Sequence, residues 1–340
     1  IYSPTAWQSM GKLREYLKLS RSFNAGLTAI APVMGAVAMK EAELLPLLLL
    51  FTAGFFGHVY GFVLNDIIDL RIDKGAAEIS DRPLVSGTVS LREAWTFALL
   101  SMVASFVIAV VLAWHWYTWF PIVFLALSAL SITIYDLISK RYPAMDVFVG
   151  AGVLLLIVYG AASVGWPLSQ LAWLVVGLGT LQVLFMQFIA GSLKDVENDY
   201  RSDANTLAVA MGVRVEQGRM TVPLSFQALA YGLQAVDLAM LFTPLVFIFG
   251  WRDSLIQLVL LVPLSIAMIV VSMRLLGMQE FDREQARQYI GLHYFINFSL
   301  VPIMLTAVNP WIGLLVFVPF GAFVLSNLTL HGTLLRPKTM

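Results

Sequence analysis

The sequence contains no cysteine and few charged residues. Only 12% of its 340 residues are Asp, Glu, Lys or Arg, which is about half the fraction usual in soluble domains. The absence of cysteine excludes disulfide bonds, thiolate metal sites and cysteine nucleophiles. The four histidines show no close metal-ligand spacing. Because the formal net charge is zero, nothing in the composition points to a nucleic-acid partner.

Hydrophobic residues dominate what is present. They make up 59% of the chain and the mean hydropathy is +0.82, which indicates an all-α polytopic membrane protein embedded in a lipid bilayer. Apolar runs of about 17 to 25 residues predict transmembrane helices. Asn309 and Pro310 alone separate the last two runs, so these could instead form one broken or re-entrant element. The predicted spans are 23–39, 44–64, 94–114, 116–134, 147–165, 171–192, 225–249, 255–276, 292–308 and 311–330.

The positive charges predict how the chain is oriented. Nineteen of the 21 Lys and Arg residues lie at the termini or in loops from an even to an odd span, and only Lys40 and Arg252 lie on the other side. By the positive-inside rule, both termini and the even-to-odd loops are expected to be cytoplasmic in a multi-pass protein of the cell membrane. We divide the chain into an N-terminal arm (1–22), a transmembrane domain (23–308) and an additional apolar segment with a tail (309–340).

An acidic motif, NDIIDLRID, directly follows the second span at residues 65–73. Asn65, Asp69 and Asp73 recur every four residues, so they share one face if the helix continues, with Asp66 on the neighbouring stripe. Carboxylates four residues apart repel each other, and the partial negative charge of a helix C-terminus adds to the repulsion. The motif therefore predicts a bound positive group.

A second acidic motif repeats the first one 130 residues later. Asp195, Asp199 and Asp203 follow the sixth span, so each motif closes the second span of a four-helix group. This indicates two related halves that face one cytoplasmic opening, bordered by the polar segments 65–92 and 193–224. Oxygen ligands without histidine or cysteine favour Mg²⁺, with Mn²⁺ possible, and Mg²⁺ is commonly shared with substrate phosphates. We therefore expect a metal-bound diphosphate.

Basic residues near both motifs could hydrogen-bond phosphate oxygens. Arg82 lies in RPLVSG and Lys140 in a short loop with turn-forming neighbours, while Lys194 and Arg201 flank the second motif. A solvated helix end, with its carboxylates paired to nearby Lys and Arg, would explain either motif alone. Two copies with the same spacing, sidedness and context favour a ligand site.

At NDIIDLRID, RPLVSG and DVENDYRSD the chain resembles the UbiA superfamily of intramembrane prenyltransferases, over roughly residues 15–308. The resemblance implies nine helices around a central cavity, with the polar segments 65–92 and 193–224 forming a cap, and the tenth apolar segment departs from that pattern. It also implies transfer of a prenyl group from an allylic prenyl diphosphate to a lipophilic acceptor. The residues that it assigns to Mg²⁺ and diphosphate are Asn65, Asp66, Asp69, Asp73, Asp195 and Asp199.

The resemblance also suggests residues of the cavity. Asn24 lies where family members carry a polar residue that faces the cavity. Tyr135 and Lys140 are similar to the family's YxxxK element, although one more residue separates them here. Tyr135 is expected to shield the carbocation that forms when diphosphate leaves, and the prenyl tail is expected to leave sideways into lipid. With Asp69, Asp73, Asp195 and Asp199, Tyr135 completes the predicted catalytic set.

The sequence is compatible with more than one acceptor and with functions of another class. The acceptor could be an aromatic compound or quinone precursor, or a phosphorylated glycerol ether of lipid biosynthesis. A cation-coupled transporter would also have two related halves with carboxylates along the ion path. A CDP-alcohol phosphotransferase would need a DGxxAR core, which neither acidic motif supplies. Asp237, inside the seventh span, is expected to face a polar cavity, a partner or an interface.

Overall fold

The computed structural model describes residues 4–74, 80–139, 142–201 and 206–331, which are mostly helical. One short antiparallel hairpin pairs β1 (Arg214–Glu216) with β2 (Arg219–Thr221). The helices are α1 Pro4–Leu19, α2 Ser22–Ala38, α3 Leu44–Asp73, α4 Leu91–Trp116, α5 Pro121–Ile138, α6 Val147–Val164, α7 Gln170–Phe185, a π-helix Met186–Gly191, α8 Ser192–Arg201, α9 Leu207–Ala210, α10 Leu224–Phe247, α11 Leu255–Leu276, α12 Arg283–Leu305, a 3₁₀-helix Pro310–Val316 and α13 Phe317–His331.

Within the described residues, eight helical segments are long and apolar enough to cross a membrane. They include Pro310–Leu330, so the tenth apolar segment has the length of a full span. The 17-residue helix α2 is a shorter apolar helix. The predicted all-α polytopic membrane fold is therefore confirmed.

Two predicted boundaries are wrong for local reasons. The fourth span begins at Pro121 rather than at residue 116, because α4 continues to Trp116 and Tyr117 ends it in a left-handed conformation (φ 54°). The ninth span belongs to a helix that begins at Arg283 rather than at residue 292. The Asp282 side chain caps that helix by accepting hydrogen bonds from the backbone N–H groups of Glu284 and Gln285.

Helix α2 runs through the middle of the bundle and packs against α3, α6, α7, α12 and α13. Its contact with α6 is very close: a Cβ atom added at Gly160 would lie 1.9 Å from the carbonyl oxygen of Pro32. Only glycine permits this approach, as at other close helix crossings in membranes. The close packing fixes α2 and α6 as neighbouring walls of the interior.

The polar loops fold against each other at one end of the bundle. The β1–β2 hairpin, which follows α8 and α9, forms backbone hydrogen bonds with the connection between α11 and α12: Met220 N–H donates to Gln279 O (2.8 Å), and Phe281 N–H donates to Gly218 O (2.8 Å). The connection between α11 and α12 is thus tied to the polar segment 193–224, a contact that the sequence did not predict.

Candidate active site

A cavity of about 340 Å³ lies between α2, α3, α5, α6, α7 and α12. Most of its wall is apolar, with Met34, Ile157 and Val301 among the lining residues. Arg21, Asn65 and Lys194 lie at the end that carries the acidic motifs. The full set of polar lining residues is Arg21, Asn24, Thr28, His58, Asn65, Tyr135, Asp136, Gln182, Gln187, Lys194 and Tyr294.

The first acidic motif is part of α3, which continues past the predicted span 44–64 through Asp73, so the condition for a shared face is met. Asp66, Asp69 and Asp73 are all buried. Arg82 joins this motif to RPLVSG, because its Nη1 lies 2.6 Å from Asp73 Oδ2 and 3.8 Å from Asp66 Oδ1. Leu84 is buried in the apolar cluster beside α3 and holds the Arg82 loop in place. The first acidic motif and RPLVSG therefore form one site.

Arg21 is the second cation of this site. It lies between α1 and α2 in a left-handed conformation (φ 45°, ψ 51°). Its Nη2 lies 2.7 Å from Asp66 Oδ1 and 3.5 Å from Asn65 Oδ1. The guanidinium also stacks over the Phe62 ring, 5.2 Å from its centroid. His58 Nε2, 3.4 Å from the Arg21 carbonyl oxygen, supports the turn.

Arg21 is a site residue that the sequence analysis counted only as a cytoplasmic charge. Burial lowers the pKa of Arg21, but the carboxylates of Asp66 and Asp73 more than offset this, so the pKa is held above its ordinary value. The guanidinium therefore stays charged at the polar end of the cavity. Its one signal in the sequence is its position three residues before Asn24, which also lines the cavity.

Asn65 connects the first motif to α5. Its Nδ2 donates a hydrogen bond to Asp136 Oδ1 (3.1 Å), and Asp136 is a buried residue of the cavity wall. The neighbouring Tyr135 also lines the cavity, and its hydroxyl donates to Asp146 Oδ1 (3.3 Å). Burial raises the pKa of Asp146, partly offset by hydrogen bonds from its own backbone and from Tyr135. The sequence analysis missed Asp136, although an acid at the end of an apolar run is a signal.

The second acidic motif lies on α8, beyond a π-helix. Such helices are rare and are often found at functional sites, and Gln187 and Gly191 of this one line the cavity. Asp195 Oδ1 lies 2.7 Å from Arg283 Nη2, and Asp195 Oδ2 lies 3.2 Å from Lys194 Nζ. Asp199 follows one turn later and is partly buried. Arg283 was missed because it precedes the predicted ninth span.

The structure thus brings together most of the predicted site. Asn24, Asn65, Tyr135 and Lys194 line the cavity. Three carboxylates of the motifs, those of Asp66, Asp73 and Asp195, are paired with basic groups in the charged layer beside the cavity. Lys140 lies outside the described residues, as do Asp203 and the side chain of Arg201.

The donor groups of this layer suit a hard metal ion but do not enclose one. Among the described residues, no three Asp, Glu or His side chains are arranged to hold a metal ion between them. Carboxylate and amide oxygens are nevertheless the donors that Mg²⁺ prefers, and Mg²⁺ is usually bound by one or two carboxylates together with substrate phosphates. Three arginines, Arg21, Arg82 and Arg283, already pair with acids of the motifs. The carboxylates of the motifs therefore fit an Mg²⁺ ion that binds together with the substrate diphosphate.

A buried polar cluster lies behind the cavity wall between α7, α10, α11 and α12. Gln234 Nε2 donates to Ser272 Oγ (2.7 Å) and lies 3.1 Å from His293 Nε2. Asp237 lies beside Gln182, a cavity residue. The predicted polar surroundings of Asp237 are therefore amide groups rather than a counter-charge.

Two curated relatives match parts of the chain. Digeranylgeranylglyceryl phosphate synthase of Methanocaldococcus jannaschii is 35% identical over 102 residues, which cover 29% of this chain and 35% of that relative. The 4-hydroxybenzoate octaprenyltransferase of Xanthomonas campestris pv. campestris is 31% identical over 211 residues, which cover 59% of this chain and 66% of the relative. The chain thus spans about one third of the length of the first relative and just under two thirds of the length of the second.

Solved structures share the whole fold. A UbiA homologue from Archaeoglobus fulgidus, described as bound to GPP and Mg²⁺, is 17% identical and superimposes with a TM-score of 0.57, covering 91% of this chain and 99% of the other. The sequence model of the UbiA prenyltransferase family matches residues 27–298, which include both acidic motifs and the cavity helices from α2 to α12. The chain belongs to the UbiA prenyltransferase family.

Proposed function

We propose that this protein transfers a prenyl group from an allylic prenyl diphosphate to a lipophilic acceptor within the membrane, with Mg²⁺ as cofactor. The observation that carries the proposal is a single cavity, apolar along most of its wall, whose polar end is bordered by Asn65 of the first motif and by Lys194 beside the second. Such a cavity matches an amphiphilic substrate, with the diphosphate at the charged end and the chain along the apolar wall.

The metal proposal rests on the oxygen donors of both motifs and on the Archaeoglobus homologue described with GPP and Mg²⁺. When bound, Mg²⁺ neutralises charge on the leaving diphosphate. Mn²⁺ has the same preference for oxygen ligands and is expected to substitute. The residues that would hold the metal are Asn65, Asp66, Asp69, Asp73, Asp195 and Asp199.

The chain's own residues bind the substrate and protect the reacting carbon. Arg21 and Lys194 line the polar end and would donate hydrogen bonds to phosphate oxygens. The C1–O bond of the prenyl diphosphate breaks, and its electron pair leaves with the diphosphate. Tyr135 and the apolar wall exclude water from the resulting carbocation. The acceptor then forms a bond to C1 and loses a proton to solvent, which balances the reaction.

Purified protein in lipid nanodiscs tests the proposal. We expect prenylated product, detected by mass spectrometry, when geranyl or geranylgeranyl diphosphate and an acceptor are supplied with Mg²⁺. EDTA should abolish the product, and added Mg²⁺ should restore it. Normal turnover by an Asp69→Ala or Asp199→Ala variant would contradict the site assignment.

The acceptor is tested in the same assay. The relatives' names include one aromatic acceptor, 4-hydroxybenzoate, and one prenylated glyceryl phosphate product, so both classes belong in the panel. We propose an aromatic or quinone-precursor acceptor, with a phosphorylated glycerol ether as the alternative. The class that yields product with the higher kcat/KM decides between them.

A transporter is not favoured by family membership or by the position of the acids. The carboxylates of both motifs lie at helix ends on one side of the bundle, whereas coupling ions in transporters bind near the membrane midplane. Proteoliposomes should show prenyl transfer without cation flux. Flux that depends on Asp69 and Asp199 would reverse this conclusion.

We also propose that the motifs and both termini face the cytoplasm, from the distribution of Lys and Arg. Because the chain contains no cysteine, single introduced cysteines can be labelled selectively in intact cells. A cysteine introduced at exposed Arg252 should react with a membrane-impermeant maleimide, whereas one at exposed Lys74 should react only after lysis. The opposite pattern would overturn the orientation.

A further inference from the structure

Helix α13, which belongs to the tenth predicted span, covers one side of the cavity. Helix α13 packs against both α2 and α12, and these two helices line the cavity on that side. The contact with α2 is close: a Cβ atom added at Gly26 would lie 3.1 Å from Val318 O and 3.2 Å from Ala322 Cβ. The hydroxyl oxygens of Ser22 and Ser326 are 2.7 Å apart. The side between the first and ninth spans is therefore closed.

Phe323 is the centre of this closure. Its side chain is 1% exposed, and its ring centroid lies 6.0 Å from that of Phe23 on α2 and 6.0 Å from that of Tyr294 on α12. Both of these neighbours line the cavity. Phe295 adds an edge-to-face contact with Phe323 at 5.1 Å. Phe323 thus stands directly behind two rings of the wall and fills the gap between their helices.

We propose that α13 is a side wall that limits the length of the prenyl chain, with Phe323 as a specificity-determining residue. The proposal rests on prenyl transfer as the function. A chain longer than the cavity has to pass between two helices into the bilayer, which is the sideways exit expected from the sequence. Between α2 and α12 that route is filled by aromatic rings, and moving them aside would break well-packed contacts.

The test compares Phe323→Ala with Leu325→Ala, a matched control on the same helix whose side chain is 64% exposed. For each protein, kcat/KM is measured with prenyl diphosphates of increasing length. We expect Phe323→Ala to move the optimum to a longer chain and to raise the long-to-short ratio about tenfold, the scale of discrimination by pocket size. Leu325→Ala should keep the wild-type ratio within about twofold.

An unchanged ratio in Phe323→Ala would overturn the proposal. Phe323→Leu is the second variant, because it keeps an apolar side chain and should show a smaller shift in the same direction if the alanine variant does not fold. Absence of transfer with every prenyl diphosphate in the wild-type protein would instead contradict the proposed function. The two failures are therefore distinguishable.

A disulfide tests whether the wall is fixed. In this cysteine-free chain, Ser22→Cys combined with Ser326→Cys places two thiols close enough for a bond between α2 and α13. We expect oxidation to leave the chain-length optimum and kcat/KM unchanged within about twofold, since a closed wall is already in place. Loss of turnover on oxidation, with recovery on reduction, would show that α13 opens in each cycle and would overturn the fixed wall. Each single-cysteine variant is the control.

Discussion

The two acidic motifs share a four-residue spacing but occupy different surroundings. In α3, Asp66, Asp69 and Asp73 are at most 9% exposed, whereas the Asp195 side chain in α8 is 36% exposed. Arg21 and Arg82 approach the first motif from two other segments of the chain, while the second follows a π-helix and pairs with Arg283 at the start of α12. The same pattern thus has buried carboxylates at the first motif and a more exposed carboxylate at the second.

This difference shows that spacing determines which face the carboxylates share, but not how deeply they are buried. Depth depends on what packs over them. The Arg82 loop covers the first motif because Leu84 and Val89 are buried beside Leu19 and Val59. We therefore expect the first motif to be preformed and the second to adjust when substrate binds.

The largest expected effect tests whether the two motifs act on one diphosphate. Asp69→Ala and Asp199→Ala should each lower kcat about 10³-fold, because each removes a carboxylate that would hold the Mg²⁺ needed to neutralise the leaving diphosphate. Residues that act as a unit are not additive, so the double variant should lose at most about tenfold more. Steady-state turnover with Mg²⁺ measures this, and Asp253→Ala, in an exposed loop, is the control. Losses that multiply would indicate two independent sites.

The second prediction concerns stability. Arg82→Ala leaves the buried carboxylate of Asp73 without its 2.6 Å partner, so the free energy of unfolding should fall by about 3–5 kcal/mol. Arg283→Ala removes a pair with the more exposed Asp195, and its cost should stay below about 1 kcal/mol. Unfolding in detergent measures both, with exposed Arg92→Ala as control. Equal losses of unfolding free energy in Arg82→Ala and Arg283→Ala would mean that burial of the carboxylate does not determine the cost.

The third prediction concerns order on binding. Addition of Mg²⁺ and inorganic diphosphate should slow hydrogen exchange in α8 about tenfold, because binding stabilises a segment that otherwise opens locally. Exchange at residues 65–73 of α3 should change less than about twofold. Mass spectrometry of peptic peptides compares the two helices. A greater gain of protection in α3 than in α8 would mean that the first motif, and not the second, adjusts when ligand binds.

The smallest expected effect compares a buried acid paired with a cation and a buried acid beside a neutral amide. Asp66 has the cation Arg21 at 2.7 Å, whereas the polar neighbour of the buried Asp237 is the neutral amide of Gln182. Asp237→Asn should raise the free energy of unfolding by about 1 kcal/mol, because burying an acidic group without an opposite charge costs more than burying a neutral amide beside Gln182. Asp66→Asn should lower it. A large loss of stability in Asp237→Asn would imply that this acid has a cationic partner.

The sequence was sufficient for the features that depend on local pattern. Apolar runs predicted the helices, and the spacing of Asn65, Asp69 and Asp73 predicted a shared face on the condition, met by α3, that the helix continues past the apolar run. RPLVSG singled out Arg82, which the structure joins to Asp73. These predictions rest on periodicity and on charge, which are properties of neighbours along the chain.

The missed residues depend on tertiary contacts. Arg21 reaches Asp66 across 45 positions and Arg283 reaches Asp195 across 88, so no local pattern connects them. The start of α12 was missed because a hydropathy window detects the apolar part of a helix and not its charged first turns. Asp136 became visible as a site residue only when α5 was placed against Asn65.

The β1–β2 hairpin has a consequence for the rate of product release. Its backbone bonds to Gln279 and Phe281 lie just before Arg283, the residue that pairs with Asp195. The β1–β2 hairpin and the segment that leads into α12 are therefore coupled beside the second motif. We expect them to separate as one cooperative unit, so diphosphate would escape in rare concerted openings rather than through independent movements of single side chains.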